Sequence, residues 1–147
     1  MTSTYENDDI CCMKISAKAR NKSRIQELID YAKLCGYTKL GIANCFSMQK
    51  YADSLKDILE EADFQVFSKN CKESCLDGKE LAPELAGPIC DPISQAEYLN
   101  ECGTELNINL GLCLGHGHLF HKHSKAEVTT VVVKDPITGH KMIVNLE

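Results

Sequence analysis

Cys113 and His116 stand three residues apart in Gly111-Leu112-Cys113-Leu114-Gly115-His116-Gly117, a glycine-punctuated segment between the apolar run Leu106–Leu110 and a histidine-rich stretch ending at His123. A thiol and an imidazole at this spacing suit two kinds of chemistry. As thiolate and neutral ring they ligate a soft metal ion; as a thiolate beside an imidazolium they form an activated nucleophile. Three more cysteines occupy comparable positions. Cys45 closes the segment Lys39–Cys45, Cys71 follows the alternating Phe64–Ser68, and Cys90 immediately precedes Asp91-Pro92. The glycines at 111, 115 and 117 match neither the dinucleotide fingerprint nor the phosphate loop, and no Lys-Ser/Thr follows them, which disfavours a nucleotide site.

The elements that must position these groups alternate in type. Helical spacing of Ile25, Leu28, Ile29, Ala32 and Cys35, with Ser23 as N-cap and Gly36 as stop, predicts a helix over Ser23–Cys35. Lys39–Cys45 reads as a short strand and Ser47–Ala62 as a helix with an apolar stripe of Met48, Tyr51, Leu55, Ile58, Leu59 and Ala62. Phe64–Ser68 is a second strand, and the segment from Cys71 to Cys90, with Gly78, Pro83, Gly87 and Pro88, is irregular. Asp91 caps a helix with proline at its first position and Gly103 at its end. Leu106–Cys113 forms a third strand, about His118–His123 a short helix, and Val128–Lys134 a fourth strand closed by the Asp135-Pro136 turn. The tail Met142–Leu146 suits an extra edge strand or coil. Strands alternating with helices predict an α/β fold, a small three-layer domain with a mainly parallel four-stranded sheet in the order 2-1-3-4. Residues 1–20 read as a loosely ordered or helical extension and 21–147 as a single α/β metal-binding domain.

At 147 residues, 44 % hydrophobic and 25 % charged, the chain suits one soluble core. The net charge of -5 argues against a nucleic-acid partner, and no run approaches the roughly 20 apolar residues of a membrane span. The acidic start MTSTYENDDICCMK lacks the order of a secretory signal, which predicts a cytoplasmic protein. Nine cysteines in a reducing compartment point to metal or redox use, with Cys11, Cys12, Cys35 and Cys102 assigned as small buried hydrophobes.

In a parallel sheet Cys45, Cys71 and Cys113 emerge along one edge, and Cys90, at a helix start, joins them. Thiolates with imidazole select zinc; thiolates alone also suit an iron–sulfur cluster. Thiols on three neighbouring strand ends spread over roughly 10 Å, against about 3.8 Å between sulfurs around tetrahedral zinc, so side chains must lean inward. Cys75 lies within reach. Of the histidines, only the loop residue His116 is a candidate ligand; His118, His121 and His123 read as solvated or capping residues and His140 as a turn residue. Lys134-Asp135, at the end of the fourth strand, lies on the functional edge but reads as a strand end and turn starter, and Asn109 reads as a partner for neighbouring backbone.

Arg24–Gly36 with the following YTKLGIANC, the CDPISQAEYLN stretch, and GLCLGHGHLF through SKAEVTTVVVKD together resemble the uncharacterised metal-binding protein family, domain of unknown function 1847, over about residues 24–140. The resemblance implies metal binding with no established reaction, and it sets the family's cysteine pattern on Cys45, Cys71, Cys90 and Cys113 with His116 following. The chain departs from the family in having Gly117 where an Asp is usual and Pro136 where an Arg is usual. The expected function is therefore metal binding at a thiolate-rich site, zinc favoured over an iron–sulfur cluster. The contrasting expectation is a thiol-dependent redox or transferase enzyme using Cys113 with His116.

Overall fold

The apolar segments become a parallel sheet of four strands, β1 (Lys39–Asn44), β2 (Gln65–Asn70), β3 (Leu106–Leu110) and β4 (Glu127–Val132), in the order β2-β1-β3-β4. A computed structural model describes residues 3–147. Five helices accompany the strands: α1 (Asn7–Ala19), α2 (Arg24–Leu34), α3 (Gln49–Glu61), α4 (Pro92–Cys102) and α5 (Leu114–His123). The chain groups into two compact units, Met1–Thr38 with α1 and α2, and Lys39–Glu147 with the sheet and the remaining helices.

In the first unit Ser23 caps α2 by accepting from the Gln26 N–H, and Gly36, at φ +79°, supplies the left-handed stop. The first ten residues are not all loose, because Asn7 onward is helical. Glu6 and Asp9 form a reciprocal capping box there, satisfying N–H groups that a helix start otherwise leaves unpaired.

In the second unit the crossover β1-α3-β2 runs one way along the sheet, while β2-α4-β3 and β3-α5-β4 run the other. Right-handed crossovers therefore place α3 on one face and the packed pair α4 and α5 on the opposite face. The central strands are buried on both faces, as parallel strands covered by helices require. Gly41 makes that packing close: a Cβ there would lie 2.4 Å from Asn107 Oδ1 and 2.8 Å from Leu99 Cδ1 on α4. The buried stripe before and along α3 is Met48, Ala52, Leu55 and Leu59; Tyr51 and Ile58, expected in it, are exposed because they fall on its flanks.

Three boundaries differ from the sequence reading in ways that bear on the site. β3 stops at Leu110, since Gly111 turns the chain at φ +70°, and α5 begins at Leu114. His116 is consequently a helical residue, not a loop residue. The tail Met142–Leu146 forms a 3-10 turn, neither the edge strand nor the coil expected, and it follows the Asp135–His140 turn, which is closed by Asp135 N–H donating to His140 Nδ1 and His140 N–H to the Asp135 carbonyl.

Candidate thiolate site

The ends of the strands are in register, Asn44 opposite both Asn70 and Leu110, and Leu110 opposite Val132. Residues just beyond these ends therefore share one rim. Cys45 and Cys71 follow β1 and β2 directly, and Cys113 follows β3 as the N-cap of α5. Cys90 arrives from the irregular segment, whose course is set by two 3-10 turns, Gly78–Glu80 and Pro83–Leu85, and by a bridge between Asp77 and Pro88. The Asp91 N–H then donates to the Cys71 carbonyl at 2.7 Å, tying the two ends of that segment together.

The four thiols sit as two pairs. The Cys90 thiol donates to Cys71 Sγ at 3.3 Å, and the Lys134 ammonium donates to both Cys45 Sγ at 3.2 Å and Cys113 Sγ at 3.4 Å. Backbone links the pairs, because the N–H of Phe46, next to Cys45, donates to Cys71 Sγ at 3.3 Å. Cys45 and Cys71 are each only 2 % exposed, whereas Cys90 and Cys113 are half-buried.

The two buried thiols titrate in opposite directions. Burial alone raises Cys45, but the Ser47 hydroxyl at 3.1 Å, the Ser47 backbone and the Lys134 ammonium outweigh it and hold Cys45 below the ordinary thiol value. Lys134 is in turn held above the usual lysine value, first by its hydrogen bond to Cys45, against its own desolvation. Cys71 lacks a cation; burial pushes it up to about 12, with the neighbouring Cys90 adding to the effect and the Phe46 N–H opposing it. One pair is thus bridged by an ammonium, and in the other a thiol donates to its neighbouring sulfur.

Beneath the rim, Gln95 of α4 is fully buried and its Nε2 donates to the carbonyls of Asn44 and Lys69, at 3.1 and 2.8 Å, pinning the last residues of β1 and β2. Asn109 fulfils its expected part, its Oδ1 accepting from the Leu112 N–H at 3.1 Å and shaping the turn that delivers Cys113.

Cys45, Cys71, Cys90 and Cys113 thus come to one rim. His116, half-buried in the first turn of α5, forms no hydrogen bond to any of them among the described residues. Cys75 is exposed, with its sulfur 3.8 Å from the Glu73 carbonyl. Cys11 and Cys12 are exposed on α1, and Cys35 and Cys102 half-buried, so none of these is the fully buried hydrophobe expected. Among the described residues no three histidine, cysteine or carboxylate side chains are gathered closely enough to hold an ion as they stand. The sequence places Lys134 on this edge as a strand end and turn starter; the bridge its ammonium makes between two sulfurs is the part not expected.

A family model described as "Protein of unknown function (DUF1847)" matches residues 3–131. An uncharacterised protein of Methanocaldococcus jannaschii is 44% identical over 124 residues, covering 81% of this chain and 64% of that protein, so the chain spans somewhat under two thirds of this relative's length. No solved structure matches.

Proposed function

The chain belongs to the DUF1847 family of proteins of unknown function, and we propose that it holds a soft metal ion, zinc, through Cys45, Cys71, Cys90 and Cys113. The observation that carries this reading is the convergence of four sulfurs, remote in sequence, on one rim, with Cys71 and Cys90 already 3.3 Å apart. That separation is close to the roughly 3.8 Å between sulfurs around tetrahedral zinc. The surroundings suit anionic sulfur: the Phe46 N–H, the Ser47 hydroxyl and the Lys134 ammonium all point at ligand atoms, as the outer partners of thiolate sites do.

In this reading, binding draws Cys45 and Cys113 toward the Cys71–Cys90 pair, and Lys134 remains as counter-charge to the set. Four protein thiolates close a zinc site, which makes it structural or regulatory. His116 stays outside the set. A reducing, cytoplasmic setting keeps the thiols available, and the net charge of -5 favours a cationic partner over nucleic acid. An iron–sulfur cluster is the alternative occupant of the same sulfurs.

One observation favours a second reading. Lys134 bridges Cys45 and Cys113, so a thiol-dependent redox or transferase chemistry would draw its activated sulfur from this lysine instead of from His116. Elemental analysis of anaerobically purified protein and its single Cys→Ser variants separates the readings. Stoichiometric metal, lost from each of the four variants, supports the ion; colourless protein identifies zinc and brown protein a cluster. Metal-free protein whose thiol reactivity is lost in the Cys113→Ser variant, and equally in Lys134→Met, supports the second reading.

A further inference from the structure

Between α5 and the strands β3 and β4 lies a cleft of ≈ 610 Å³, a size typical of small-molecule sites. At its floor Gly117 lets α5 approach the sheet closely, since an added Cβ there would stand 3.0 Å from Asn109 Nδ2. Leu112, Val132 and Val133 make its walls apolar. Its formally charged side chains are the cations Lys122 and Lys134. His118, His121, Lys122 and Lys134 border it, and among the described residues no carboxylate does, in a chain whose net charge is -5. Among the described residues Lys122 forms no ion pair, so its charge is available to a guest.

We infer that this cleft binds a small organic anion with a hydrocarbon body, a medium-chain carboxylate in chemical class. The hydrocarbon lies on the apolar walls, Asn109, only 8 % exposed and with its Oδ1 committed to Leu112, offers its Nδ2 side, and the basic residues of α5 receive the anionic head. Cys113 and Lys134 line the cleft as well as the rim, so the guest abuts the sulfurs. The inference does not depend on an ion being held there.

The test uses the full chain and two fluorescent probes of similar shape, the anionic anilinonaphthalene sulfonate and the neutral phenylnaphthylamine. Saturable binding of the sulfonate, displaced by octanoate, is expected. Lys122→Glu should weaken the sulfonate by about tenfold, the loss of one charge-assisted contact, and leave the neutral probe within twofold. Val133→Trp, at the half-exposed mouth, should weaken both. Sulfonate binding that survives Lys122→Glu unchanged, or that octanoate does not displace, overturns the inference. An unfolded variant is recognised by its circular dichroism and by emission that rises instead of falling, and His121→Glu then serves as the replacement.

Discussion

Lys134 places its ammonium between two sulfurs, so replacing it with methionine removes the cation while keeping most of the side chain's volume. Cys45 should then titrate at higher pH than in the parent protein. The ultraviolet thiolate absorbance of metal-free protein, referenced to Cys45→Ser, measures this, and an unmoved midpoint contradicts the assignment. Cys71 gives the opposite kind of pH dependence. Its folded-state pKa is raised, so its contribution to stability is complete below the ordinary thiol value of about 8.5 and is lost as pH rises toward its own value of about 12. Urea melts of metal-free protein should show stability declining across that alkaline window, with a flatter profile in Cys71→Ala. Cys45, whose pKa is depressed, contributes stability above the ordinary thiol value and loses it as pH falls through its folded value. The cysteines were legible in the sequence because each ends or begins an element. The position of Lys134 on that edge was legible too, but its role was not, because a lysine at a strand end before Asp-Pro is also an ordinary turn boundary, and nothing in the sequence sets its ammonium between two sulfurs.

The elements that aim these side chains depend on a few small or buried residues. Gly111 combines a φ of +70° with a site where a Cβ would lie 2.0 Å from Met48 Sδ, so Gly111→Ala carries both a backbone and an overpacking penalty. A loss of about 2 to 4 kcal/mol in urea denaturation is expected. Gln95→Leu keeps the volume but removes the donor that serves two strand-end carbonyls, at a cost of about 1 to 3 kcal/mol. A neutral result for Gln95→Leu would show that the ends of β1 and β2 are held by other means. The helix caps at Ser23 and Asp91 and the parallel strand order could be read directly, since side-chain chemistry at a cap and the handedness of crossovers leave few choices. The start of α5 could not, because Leu114-Gly115-His116-Gly117 has the composition of a loop, although the chain is helical from Leu114.

At the scale of the whole molecule, the family match spans residues 3–131, both units included, while the four sulfurs and Lys134 all belong to the second. Metal binding is therefore expected to stabilise the sheet unit. An ion bound only by the folded state adds about 4 kcal/mol at a thousandfold excess over its dissociation constant, so zinc should raise Tm and a chelator should reverse the gain. Among the described residues no helix is long and apolar enough to cross a membrane, and Cys113 and Lys134 of the rim also line the cleft between α5 and β4. The most direct measurement is an anaerobic cobalt titration followed by absorbance. One equivalent should produce strong thiolate-to-cobalt charge-transfer bands with the visible pattern of tetrahedral coordination, abolished or reshaped in Cys45→Ser, Cys71→Ser, Cys90→Ser and Cys113→Ser alike. Absence of these bands, or bands that persist unchanged when Cys71 and Cys90 are replaced, would contradict a metal centre built on the four thiols.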